Sequence, residues 1–267
     1  MGFFDFMKKK SVPPPAEGKG APAAEKQVDK RVAGPARLAG DKKAQTYDRM
    51  EALQQLAEMA SPDAAAGLLK RFTFVIDPTI TDQEEKEVAF QGVIAGGKDC
   101  VPAVVEACAV AIKKGEQLTW FIKILHELLE DEEYEEELID LLGKFDTEYA
   151  RNVEPKVQII QALEEIVSPE VREAVAPFLE DVNETVRFHA VQTTFAQNDP
   201  SCVPELVKLL EAEESVRVKN KVAEGLVFRA WVIPAELRDA AANALRDTSG
   251  FHIGGDGKLA RRPGSFH

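Results

Sequence analysis

The sequence predicts an all-α chain, an α-solenoid of about six antiparallel helix pairs over residues 44–247. Three observations carry this. Apolar residues recur at helical spacing in segment after segment, and no strand-like alternation interrupts them between residues 44 and 246. Connections of a few residues separate the segments, so consecutive helices must pack as antiparallel neighbours. The chain also matches itself at two places, which favours a repeat array over a globular bundle.

The helices follow in order. The first covers about 45–59. Ser61-Pro62 supplies an N-cap and a proline at the first helical position, opening the second, about 62–75. Asp77-Pro78 breaks the chain, and Thr81 with Glu84 predicts a capping box for a third helix ending at Gly96-Gly97. The fourth, about 100–114, sets Val101, Val104, Val105, Cys108 and Ile112 on one face before Gly115 stops it. The fifth carries Leu118, Phe121, Ile122, Leu125, Leu128 and Leu129, and the sixth, about 133–144, carries Leu138, Ile139, Leu141 and Leu142. The seventh, about 154–167, groups Ile159, Ile160, Leu163, Ile166 and Val167, and Ser168-Pro169 starts the eighth, to about Glu180. Helices over about 183–197, 202–212 and 214–230 follow, and Pro234 opens the last, to about Arg246.

The flanks differ. Residues 1–10 form a short amphipathic tip, residues 11–43 a disordered linker rich in Pro, Ala, Gly and Lys, and residues 248–267 a tail. In the tail, Asp256-Gly257 lies between short apolar stretches and predicts a hairpin turn.

Asp99-Cys100-Val101-Pro102 echoes Ser201-Cys202-Val203-Pro204, and Val101, Val104, Val105 and Cys108 align with Val203, Leu206, Val207 and Leu210. At a spacing of 30, Asp181 precedes Val186-Arg187 by five residues as Glu211 precedes Val216-Arg217, and Leu179 aligns with Leu209. An acidic residue followed five positions on by Val-Arg, opening the second helix of a pair, resembles the HEAT repeat, in the short-period form named from phycobilin lyases. The signature covers about 168–246. Upstream, Val88 is followed by Ala89, and Gln83 replaces the acid. In the motif the acid caps the turn or pairs with the arginine, while the valine enters the core. The resemblance implies a right-handed solenoid whose concave face is lined by the second helix of each pair, here near 82–96, 117–129, 154–167, 183–197 and 214–230.

Charge is unevenly spread over the net −13. Residues 1–43 hold ten basic and five acidic groups, residues 247–267 three and two, and the body between carries −19. Such a body repels phosphate backbones, which argues against nucleic acid, and it suits a basic partner or simply keeps the chain dispersed. Cys100, Cys108 and Cys202 show neither disulfide nor metal spacing and read as buried thiols in a reducing compartment. No stretch reaches the roughly 18 apolar residues of a membrane span. In the N-terminal tip Phe3, Phe4, Phe6 and Met7 precede Lys8-Lys9-Lys10, the reverse of secretory order, so a cytoplasmic chain is expected.

Chemistry is sparse. His126-Glu127-Leu128-Leu129-Glu130 lacks the second histidine of a zinc-protease helix, and Gly254-Gly255-Asp256-Gly257-Lys258 lacks the first glycine and the final Ser or Thr of a phosphate loop. The acidic run Glu130–Glu137 reads as a solvated turn favoured by a helix dipole. No catalytic, cofactor or metal site is expected. The leading expectation is a non-enzymatic scaffold or adaptor, binding a protein or peptide on its concave face through Trp120, Arg187, Lys219, Arg229 and Trp231. The resemblance also admits an enzyme-accessory or lyase-like protein, or a glycosylase, which the acidic body disfavours. The tip Phe3, Phe4, Phe6, Met7 and Lys8-Lys9-Lys10 suggests a third reading: a docking peptide, or weak peripheral contact with the inner face of a membrane by a recruited signalling component.

Overall fold

The computed structural model describes residues 30–246, 248 and 250–262. The expected tip at residues 1–10 and most of the expected linker lie outside them. Among the described residues thirteen α-helices follow one another: α1 Lys30–Ala39, α2 Thr46–Met59, α3 Pro62–Leu68, α4 Thr79–Ala95, α5 Val101–Lys114, α6 Thr119–Leu128, α7 Asp131–Leu142, α8 Glu154–Leu163, α9 Pro169–Val175, α10 Glu184–Ala196, α11 Val203–Ala212, α12 Val216–Arg229 and α13 Arg238–Ala244. Strands β1 Phe251–Ile253 and β2 Leu259–Arg261 pair antiparallel as the expected tail hairpin, with Gly257 at φ 81° in its turn. Among the described residues no helix is long and apolar enough to cross a membrane.

The helices form sequential packing pairs in two layers. Helices α2, α4, α6, α8, α10 and α12 contact one another in series as the second layer. In the first layer α1 meets α3 and α3 meets α5, while α7 meets α9, the 3-10 turn after α9 meets α11, and α11 meets α13. The hairpin packs on α12 and α13, where a seventh second-layer helix would stand. Its Phe251 and Leu259, with Ile233, close that end of the array.

Helix α1 corrects the linker expected over 11–43. Val32, Ala36 and Ala39 stand at i, i+4 and i+7 and are buried against α2 and α3. Two of the three are alanines, too small to register as apolar periodicity. A Cβ on Gly67 of α3 would lie 2.9 Å from the Ala36 Cβ, so small residues facing each other let the helices close. That contact holds a helix with Pro35 inside it.

Capping also moved. Thr81 and Glu84 make no box, because α4 already starts at Thr79 behind Pro78. The capping box belongs to α7, where Glu130 and Glu133 bond each other's backbone N–H, and the acidic run is thereby a helix start. Ser61 and Ser168 cap α3 and α9 as expected. The two Cys-Val-Pro segments are equivalent, each a 3-10 turn leading into a first-layer helix with its cysteine buried. Burial pushes the Cys108 and Cys202 thiols up to about 12.

The C-terminal repeat has a different register from the expected spacing of 30. The N-cap side chains Asn183 and Ser215 are 32 residues apart. At that offset Val186, Ala190 and Val191 match Val218, Val222 and Ala223, all fully buried. Val216, expected in the core, is 58% exposed. The turn after α11 delays α12 until Ser215 caps it, and this carries Val216-Arg217 out to solvent. Val218→Ala, which deletes two buried carbon groups, is expected to cost about 2 kcal/mol in urea denaturation. Val216→Ala should stay within about 0.5 kcal/mol; the reverse order would restore the spacing of 30.

Candidate functional site

Successive pairs are tied where a first-layer helix turns into its second-layer partner. Arg187, on the first turn of α10, grips Glu213 in the next pair with Nε at 2.7 Å and Nη2 at 2.8 Å. Its Nη1 donates to the carbonyls of Asp181 and Val182 at 2.8 and 3.1 Å. Glu213 also accepts the N–H groups of Glu214 and Ser215. One pair earlier, Lys156 donates to the Asp181 carboxylate and to the Asp146 carbonyl, both at 2.6 Å. Burial pushes Glu213 up, but the Arg187 fork and the two N–H donors outweigh it and hold it below the usual glutamate value.

This arrangement corrects the motif as expected from sequence. The acid matching Asp181 is Glu213, not Glu211, because the offset is 32. Arg187 bonds the Asp181 backbone rather than its carboxylate, which Lys156 takes. Arg187 thus joins successive pairs, with its side chain partly exposed beside them. Lys219 holds on α12 the place Arg187 holds on α10, and it is half-buried. Upstream, where the motif fades, Asp82 and Glu85 of α4 take the acidic role, with Arg49 and Arg71 as partners.

The tryptophans are half-buried packing residues. Trp120 stacks on Phe72 at 5.3 Å and meets Phe90 edge-on at 5.9 Å, tying α6 to α4. Trp231, just past α12, lies 5.6 Å from Phe195 of α10. Arg229 is close by. It donates to the Phe195 carbonyl at 2.7 Å and lies among the rings of Phe195, Trp231 and Phe228 at 4.8, 5.6 and 5.7 Å. Burial pushes its pKa down. The structure therefore brings Arg229 and Trp231 together and leaves Trp120 and Arg187 elsewhere. The tip residues Phe3 to Lys10 lie outside the described residues.

Around Arg229 the outer face of α10 and α12 forms a groove. Arg217, Lys221, Glu224 and Phe228 stand at i, i+4, i+7 and i+11 on α12. The Arg217 guanidinium sits 3.7 Å from the Phe188 ring centre, and the Lys221 ammonium 5.4 Å from it. A hollow of about 270 Å³ lies between the two helices, lined by Gln192, Phe195, Lys221, Gly225, Phe228 and Arg229 among others. A Cβ at Gly225 would come within 2.2 Å of the Phe195 ring, so only glycine admits that ring against α12. Phe228 is 84% exposed at the rim. Phe188, Lys221 and Phe228 are not among the residues the sequence marks for binding, and Arg217 stands there only as part of the repeat motif. The signal was there: a phenylalanine in the polar stripe of an amphipathic helix.

A larger hollow of about 570 Å³ lies beside Arg187, but much of its charged lining is committed, Arg187 to Glu213, Lys208 to Glu180 and Asp181 to Lys156. Among the described residues no group of three or more His, Cys, Asp or Glu is placed to hold a metal.

Glu213→Ala leaves Arg187 without its carboxylate and is expected to cost about 2–3 kcal/mol, below the 3–5 of a fully buried pair because Arg187 keeps some solvent. Because its pKa is depressed in the fold, Glu213 stabilises the protein above the ordinary value of 4.5, and that contribution is lost as pH falls below it. Denaturation midpoints of wild type and Glu213→Ala should accordingly converge on acidification; a constant gap would contradict the assignment.

No family model matches the chain, and no curated protein matches it. Among solved structures, the chain is similar to a crystal structure of an engineered protein from the Northeast Structural Genomics Consortium, at 20% identity and a TM-score of 0.26, covering 80% of this chain and 84% of that one. The helical-repeat architecture described above rests on this chain's own packing.

Proposed function

We propose that the chain is a non-enzymatic, HEAT-like scaffold or adaptor that binds a protein or peptide on the outer face of α10 and α12. The observation that carries this is Phe228, an aromatic side chain 84% exposed beside a hollow and a half-buried arginine. An aromatic ring so placed buries little of its surface in its own fold, whereas aromatic and arginine side chains around a small cavity are the commonest anchors of protein interfaces. The second layer is also the one that the HEAT resemblance puts on the concave side. Of the residues expected from sequence, Arg229 and Trp231 remain in this site, Arg229 at its rim and Trp231 as support. Phe188, Lys221 and Phe228 join them.

The test is a photo-cross-linking amino acid placed in the full chain at Phe228 or at Tyr149, an equally exposed aromatic in the turn before α8. In native lysate, discrete protein adducts are expected from position 228 and not from 149. Identical adduct patterns, or none from 228, would refute the assignment of the face.

A further inference from the structure

We infer that the segment bound in this groove is acidic and carries one large apolar side chain as its anchor; this rests on the binding face proposed above. Two of the three nearby carboxylates are paired with a cation. Glu184 holds Arg217 at 3.2 Å and Glu224 holds Arg261 at 3.0 Å, while Glu164, which also lines the hollow, accepts only from the neutral amide of Gln192 at 3.4 Å and keeps its charge. Lys221 and Arg229 have no carboxylate partner among the described residues. They lie against rings, and Arg229 donates to a single carbonyl. In a body of net charge −19, the two unpaired cations outnumber the one unpaired carboxylate, Glu164, and the net charge left at this groove is positive.

The hollow sets the anchor. At about 270 Å³ it falls below the roughly 300–1,000 Å³ of sites for drug-sized ligands and suits one large side chain, with Phe195 and Gly225 as its floor and Phe228 as its wall. Lys221 and Arg229 lie eight residues apart on α12, about 12 Å along its axis, with Gly225 midway between them. Two carboxylates separated by about four residues of extended chain span that distance and bracket the anchor. Paired to Arg229, one of them forms a charge-assisted hydrogen bond at a site partly shielded from water. Lys221 and Arg229 would repel a basic segment, the kind the overall charge attracts, so the groove selects against the bulk field of the protein.

The experiment selects random displayed peptides of roughly twelve residues on the immobilised full chain. Enriched sequences are expected to hold two acidic residues flanking a Phe, Trp, Tyr or Leu. Binding of a selected peptide should weaken about tenfold or more in Phe228→Ala and in Lys221→Glu, and weaken again as salt rises through the range where screening sets in. Replacing with lysine only the peptide's acidic residue that faces position 221, and keeping the one that pairs with Arg229, should restore binding to Lys221→Glu. Both side chains face solvent at least in part, so unchanged melting temperatures are expected and would show that the variants remain folded. Enriched peptides that depend on Phe228 but are neutral or basic overturn the acidic assignment and leave the binding face standing. Peptides indifferent to Phe228→Ala, or no enrichment at all, overturn both.

Discussion

Charge buried at the turns between the two layers holds successive helix pairs in place. Near the N-terminal end, Arg71 reaches both Glu85 and Asp82 at 2.6 and 2.7 Å, Arg49 forks onto Glu85, and Lys86 closes on Asp82 at 2.7 Å. Burial pushes Asp82 up, but Lys86, Arg71 and the Ile76 N–H together hold its carboxyl below the usual range. Farther along, Lys156–Asp181 and Arg187–Glu213 repeat the device. Among the described residues no buried side-chain nitrogen or oxygen lacks a hydrogen bond. Taking such groups out of water costs several kcal/mol per ion, and only good geometry offsets it. A slip by one residue would strand a charge in the core. The pairs are therefore bound by hydrophobic burial and aligned by ions.

That division of labour frees the outer face of the second layer. Inward stripes such as Val186, Ala190, Val218 and Val222 supply the core, and the ion pairs supply the alignment. Arg217, Lys221 and Phe228 lie outside the buried stripe and make surface contacts only, Arg217 and Lys221 on the Phe188 ring, so their substitution should cost the fold little. Gly225 belongs to both roles. Its missing side chain lets Phe195 close against α12, and both residues line the groove. The hairpin plays the complementary part at the end of the array. It seals α12 and α13 with Phe251 and Leu259, and its Arg261 engages Glu224, a carboxylate of the groove.

Sequence and structure agree where the signal is local. Serine-proline starts, glycine stops and helical apolar spacing depend on neighbours within a turn or two, and α3, α5 and α9 begin or end where those signals say. They part where partners are distant. The Val32-Ala36-Ala39 stripe becomes meaningful only once Gly67 faces it, some thirty residues away. Arg187 looks in sequence like an exposed basic contact, and its partner Glu213 is 26 residues on. Thr81 and Glu84 fit a capping box by spacing, but Asp82 and Glu85 must face inward to meet Arg71, and α4 begins earlier to place them there.

The sequence by itself determined that this chain is all-helical, built of short alternating helices with a repeat in its C-terminal half, and closed by a turn at Asp256-Gly257. Periodicity and capping act over a few residues, and each such signal can be read without its neighbours in space. Only the tertiary structure decided the register of 32, the ion pair of Arg187 with Glu213, the first helix at Lys30–Ala39, and the groove that gathers Phe188, Lys221, Phe228 and Arg229. Each depends on which residues of separate helices meet, and that is settled by burial and by the cost of an unpaired charge, which appear only when the pairs are stacked.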